Sequence, residues 1–131
     1  MRTSFLINCS KREAQEVRTR AELQRRTVSG YVINIVVRRI QFAEEIPGMN
    51  PQVFRLERDK RAKAAGPRTT LHIYCSLEDA RKIRRAARLG QVTISGFVLH
   101  CLWHSWQIED SLAEIQRKRR IPGHSLWTIP N

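Results

Sequence analysis

Residues 2–46 and 68–112 align without a gap at an offset of 66, with 14 identities in 45 positions, where average residue usage would give about three. An internal repeat constrains a fold more than any single motif, because both copies must take the same local structure. Arg2 and Thr3 return as Arg68 and Thr69, Cys9 and Ser10 as Cys75 and Ser76, and Thr27, Ser29 and Gly30 as Thr93, Ser95 and Gly96. Mismatches at apolar positions are conservative: Phe5 with Leu71, Val17 with Ile83, Val28 with Ile94, Tyr31 with Phe97.

Each copy reads as strand, helix, helix. Residues 2–10 alternate, with Phe5, Ile7 and Cys9 on one face and Ser4, Leu6 and Asn8 on the other, the pattern of a half-buried strand. Ser10 with Glu13 forms a capping box that opens a helix. Its stripe is Ala14, Val17 and Ala21, with Arg12, Arg18 and Arg20 outside and an end near Arg25. Thr27 or Ser29 caps the second helix, carried by Val28, Tyr31, Val32, Ile35, Val36 and Ile40 and stopped by Pro47-Gly48. In the second copy Leu71, Ile73 and Cys75 point inward and Thr70, His72 and Tyr74 outward. Ser76 and Asp79 repeat the cap, and Ala80, Ile83 and Ala87 the stripe. Thr93 or Ser95 opens a helix running through Ile94, Phe97, Val98, Cys101, Leu102 and Trp106.

A unit of one strand and two helices cannot close a core, because the strand lacks a partner and each helix needs a facing neighbour. Two units solve both problems by pairing their strands antiparallel over four helices. The expected fold is therefore mainly α with a short two-stranded antiparallel ribbon. Phe5, Ile7, Leu71 and Ile73 roof the core, and the six outward residues project together. Residues 1–46 are the first unit, 47–67 a solvated linker with one helical turn around Val53 to Arg61, 68–112 the second unit and 113–131 a basic C-terminal extension. A linker of that length can reach about 65 Å extended, enough for the two units to pair within one chain.

The partner is suggested by charge. The chain has 24 Lys and Arg against 12 Asp and Glu, a formal +12. Such an excess points to a polyanion, with nucleic acid the default, although a merely basic surface also accommodates it. Arg dominates and suits bidentate contact with phosphate or guanine. The three cysteines, Cys9, Cys75 and Cys101, lack CxxC spacing, so neither a disulfide framework nor a zinc motif is expected. A ribbon centred near Leu6 and His72 sets Cys9 and Cys75 about 20 Å apart. The sequence offers neither a signal peptide nor an apolar run of membrane-spanning length. A cytoplasmic protein without membrane contact is expected.

The doubled order of strand, cap, stripe and Thr-x-Ser-Gly start resembles the ribbon-helix-helix superfamily of Arc- and MetJ-type repressors and antitoxins. Arg26-Thr-Val-Ser29-Gly-Tyr-Val32 is similar to the turn and second-helix start common there. The resemblance covers about two thirds of the chain and implies a tandem pseudo-dimer, whereas members usually carry one unit and form homodimers. It further implies a ribbon lying in the DNA major groove, with Ser4, Leu6, Asn8, Thr70, His72 and Tyr74 reading bases. Asn8 suits a bidentate contact with adenine and Leu6 a thymine methyl. Arg2 and Arg68 flank the ribbon. The second-helix starts, Thr27, Ser29 and Gly30 with Thr93, Ser95 and Gly96, would hold backbone phosphates through free amides and the helix dipole. In that reading the glycines leave an amide open, while Ser29 and Ser95 serve as N-caps, phosphate donors or both. The implied function is sequence-specific binding of double-stranded DNA, as a transcriptional repressor, with self-association into higher assemblies. The alternative is an antitoxin whose unmatched tail neutralises a toxin protein.

Other constellations point elsewhere. His100, Cys101 and His104 have metal-ligand spacing on a helix, but Cys101 belongs to the core stripe and the first copy has Asn34 and Arg38 at the histidine positions. No metal or other cofactor is expected. Trp106 matches Ile40 and belongs in the core. Trp103 matches Val37 and is expected at the surface, where with Leu126, Trp127 and Ile129 it makes an oligomer contact or receives the tail. There is no paired-carboxylate pattern, activated nucleophile or glycine-rich phosphate loop, so no enzyme is expected. RNA binding lacks an aromatic stacking platform.

Overall fold

The structure, a computed structural model, describes residues 1–45 and 66–119. Six elements follow in order: β1 (Arg2–Ser10), α1 (Lys11–Leu23), α2 (Val28–Glu45), β2 (Arg68–Ser76), α3 (Leu77–Leu89) and α4 (Ile94–Arg119). The fold is mainly helical with one two-stranded antiparallel sheet. The Pro47-Gly48 stop, the turn expected around Val53 to Arg61, the Pro122-Gly123 break and the tail with Leu126, Trp127 and Ile129 lie outside the described residues.

β1 and β2 pair along their whole length with Leu6 opposite His72 at the centre. Two further amides extend the ladder at its ends. Lys11 N donates to Pro67 O at 2.8 Å and Leu77 N to Met1 O at 3.1 Å, one bond 66 residues from the other with the halves exchanged. Cys9 lies opposite Thr69 and Cys75 opposite Thr3, at the two ends of the ribbon. All three cysteines are free and buried.

The helix boundaries follow from local chemistry. Ser10 accepts from Glu13 N at 3.0 Å while Glu13 Oε1 accepts from Ser10 N at 2.8 Å, the full capping box. Ser76 accepts from Asp79 N at 3.1 Å. Both first helices end in the same Schellman turn. Arg26 N reaches Ala21 O and Arg25 N reaches Glu22 O; Val92 N reaches Ala87 O and Gln91 N reaches Arg88 O. The turn needs one left-handed residue, and it is Arg25 in one copy and Gln91 in the other, each at φ 56°. Gly90 precedes Gln91 at an ordinary φ of −82°, so the glycine sits one position short of the strained site.

The core lies between ribbon and helices. Ile7, Ile73 and Leu71 roof it with Phe5 partly buried, above Val17, Tyr31, Val32, Val36, Ile83, Phe97, Val98 and Leu102. Trp106 is buried as expected, and its Nε1 donates to the Tyr31 hydroxyl at 2.9 Å. Two expectations need correction. Arg20 is not outside: its side chain keeps 16% of its exposure, pairs with Glu16, Glu109 and Asp110, and sits 5.3 Å from the Trp106 ring centre. Glu16 is its neighbour one turn back on α1, whereas Glu109 and Asp110 come from α4, within side-chain reach of α1, a contact that α1's own periodicity cannot encode. Trp103 is not a surface residue: it packs against the core and donates Nε1 to the buried Glu13 at 2.7 Å. Beyond the repeat, α4 continues to Arg119, because Ala113-Glu-Ile-Gln116 are mostly good helix formers and basic residues favour its last turn.

Candidate nucleic-acid interface

The reading face expected from the sequence forms as one surface. Register places Ser4 opposite Tyr74, Leu6 opposite His72 and Asn8 opposite Thr70. Leu6, Asn8, Thr70, His72 and Tyr74 are exposed, and Ser4 is half-buried. Arg2 and Arg68 stand at opposite ends, paired with Ser76 and Ser10, and are exposed.

The face is unequal along its length. At one end the His72 imidazole bridges two hydroxyls, Nε2 to Ser4 Oγ at 2.9 Å and Nδ1 to the Tyr74 hydroxyl at 3.3 Å. The His72 and Tyr74 rings stack at 4.5 Å with 25° between planes. A neutral imidazole donates through one nitrogen and accepts through the other, so the orientations of the two hydroxyls are coupled through it. The alternation places these three residues on one face without revealing this network. At the other end Asn8 and Thr70 offer separate polar groups beside the apolar Leu6.

The second-helix starts also differ from expectation in how they work. Thr27 and Thr93 are the caps, accepting from Gly30 N at 3.0 Å and Gly96 N at 2.9 Å. The glycine amides are therefore committed to the caps and are not open to an anion, which corrects the role expected of Gly30 and Gly96. A Cβ at residue 30 would lie 3.0 Å from Thr27 Oγ1, so a larger residue there crowds the capping hydroxyl. The remaining first-turn donors are the amides at Val28 and Ser29, and at Ile94 and Ser95. Neither helix has an acidic residue in its first turn to compete for an anion.

Ser29 and Ser95 are not caps. Ser29 Oγ accepts from Tyr74 N and Ser95 Oγ from Asn8 N, both at 2.9 Å. Each second helix is thereby tied to the strand of the other half, at the ribbon edge. Outward residues of a two-stranded ribbon turn their amides to the open edges, and the serines close those edges here. A hydroxyl that accepts still has its own hydrogen to give, so both serines keep a donor for a group arriving at the helix mouth. The sequence signal was the surplus: two hydroxyls at each start, where one cap suffices.

Beneath the α2 start an open groove of about 510 Å³ is lined by Arg2, Ser29, Asn34, Arg38, Tyr74 and Asp79, among others. Arg2, Arg38, the outward Tyr74 and the α2 start thus meet in one groove. Among the described residues, no group of three or more His, Cys, Asp or Glu could hold a metal ion, and no helix is long and apolar enough to cross a membrane. No family model, curated protein or solved structure matches the chain.

Proposed function

We propose that this protein binds double-stranded DNA sequence-specifically as a transcriptional repressor of ribbon-helix-helix type, with two tandem units of one chain forming the pseudo-dimer. The reading rests on one observation above the others: a six-residue outward ribbon face is flanked by helix starts that are latched to its edges through Ser29 and Ser95. The major groove, about 12 Å wide, takes a two-stranded ribbon. Leu6 meets a thymine methyl and Asn8 an adenine edge, while the Ser4–His72–Tyr74 network presents coupled donors and acceptors. The hydroxyls of Ser29 and Ser95, the first-turn amides, Arg2 and Arg68 hold phosphates on either side. The formal +12 supplies the electrostatic attraction.

Selection of bound duplexes from random DNA, followed by anisotropy titration, tests this. The selected site should bind far more tightly than random duplex, and log affinity should fall linearly with log salt. Asn8→Ala and His72→Ala should lower affinity for the selected site while sparing random DNA. Unchanged preference in both variants removes the ribbon as reader.

One observation favours a second reading, the antitoxin. Past the core, α4 carries Ile108, Leu112 and Ile115 exposed at helical spacing, an apolar stripe that suits a protein partner. This reading requires a toxin encoded beside the gene, neutralised by this chain and released by Leu112→Asp with DNA binding intact.

A further inference from the structure

The groove at the α2 start runs down the helix past Asn34 and Val37 to Arg38 and Gln41, with Arg2 and Asp79 also on its walls. The repeat provides a built-in comparison. At the corresponding positions of the other half, Asn34 is replaced by His100, Val37 by Trp103 and Asp79 by Glu13. There the chain supplies its own occupant: His100 is buried, and the Trp103 indole packs against the core with its N–H on Glu13 at 2.7 Å. In the first half, Val37 is too short to reach across, and the space stays open. Asp79, one methylene shorter than Glu13, does not return the bond to its cap residue that Glu13 returns to Ser10.

We propose that this groove binds a small planar heteroaromatic acid, a ring with an N–H donor and a carboxylate substituent, with the ring in the position that Trp103 takes in the other half. The ring N–H donates to the Asp79 carboxylate as the Trp103 indole donates to Glu13. The ligand carboxylate pairs with Arg2 and Arg38, which line the groove together with Asp79. Asn34 and Gln41 supply amide contacts at the ring edge. The groove is open to solvent, and its volume of about 510 Å³ leaves room for a bicyclic ring lying along the α2 surface. The site shares Arg2 and Ser29 with the proposed phosphate clamp. On the DNA-binding reading, therefore, a bound carboxylate displaces a backbone phosphate and weakens DNA binding.

The experiment uses the full chain and begins without DNA, so that it stands apart from the DNA reading. Indole-3-propionate, titrated by calorimetry, should bind saturably at one site per chain and raise the melting temperature. The naphthalene analogue, which keeps shape and charge but lacks the N–H, should bind about tenfold more weakly, the loss of one hydrogen bond to a charged group. Tryptamine, which keeps the N–H but reverses the charge, should not compete. Val37→Trp should fill the groove, abolish binding and raise the melting temperature. Arg38→Gln, at an exposed position, provides a second variant that leaves the core intact, and it should weaken indole-3-propionate about tenfold without affecting uncharged indole. The proposal is overturned if the native chain does not bind, if the naphthalene analogue binds equally well, or if Arg38→Gln leaves affinity unchanged. With DNA present, release by indole-3-propionate extends the proposal to regulation; binding without release refutes the shared clamp alone.

Discussion

The Asn8 amide donates to the Ser95 hydroxyl at 2.9 Å, although 87 positions separate the two residues. The equivalent bond joins Tyr74 to Ser29. Each is a single bond at the ribbon edge, and each ties the backbone of a proposed reading residue to the helix start proposed to hold phosphate. Ser29→Ala and Ser95→Ala should each cost about 1 kcal/mol of stability, read as a shift in the urea midpoint. The two sites share no partners, so the double variant should lose the sum within about 0.5 kcal/mol. DNA affinity should fall further than stability does, because the helix mouth loses a donor as well as its anchor.

Two hydrogen bonds join Ser4, His72 and Tyr74 into one network on the proposed reading face. Ser4→Ala and His72→Ala should therefore be non-additive in DNA affinity, with the double variant losing less than the sum of the singles. Asn8→Ala combined with His72→Ala lacks a shared partner and should be closer to additive. Double-mutant cycles on one selected duplex distinguish the two cases.

The left-handed turn residues carry a removable strain. A non-glycine side chain in this conformation costs about 1 kcal/mol. Gln91→Gly should raise stability by up to that amount without altering charge, measured as a higher urea midpoint at constant slope. Gln91→Val, branched at a positive φ, should lower it.

Alkaline pH should unfold the protein earlier than its charge alone suggests. Burial pushes the Cys101 thiol up to about 12 from its usual 9.0, and burial likewise raises Tyr31 and Cys75. Each group releases its proton more readily when unfolded. The native state therefore binds more protons above about pH 9, and stability falls as pH rises. Cys101→Ala should lower stability at neutral pH by leaving a small gap, and flatten the decline between pH 9 and 11.

Arg20 joins two helices far apart in sequence. Its guanidinium meets Glu16, Glu109 and Asp110, and these three acids hold its pKa above the usual value, overcoming the opposing effect of burial. Arg20→Met removes the cation and leaves Glu109 beside Asp110. A loss of about 1 kcal/mol is expected, since the acids keep much of their solvent, and it should shrink when Glu109→Gln is added.

Much of this was legible in the sequence because the repeat reports it twice. Alternation in 2–10 and 68–76 gave both strands and their outward residues, and Ser10 and Ser76 marked the first-helix starts. The interactions between halves were less accessible. Nothing near Trp103 in the sequence announces Glu13 as its partner, since the two meet only when one half's helix crosses the other's cap. Arg20 looked like one more surface arginine because two of its three acids, Glu109 and Asp110, lie 89 and 90 residues away. Ser29 and Ser95 looked like caps because a serine beside a threonine at a helix start is ambiguous until the strand edge is in place.

The latches also bear on how the protein is made. During synthesis β1 leaves the ribosome long before its strand partner, and the Asn8 amide has no acceptor until Ser95 has been translated. The first half must therefore wait with Ile7 and Cys9 uncovered along an unpaired edge, and native closure comes only when α4 emerges. Premature termination before Ser76 leaves β1 without its strand partner, the kind of surface that chaperones hold and aggregation exploits.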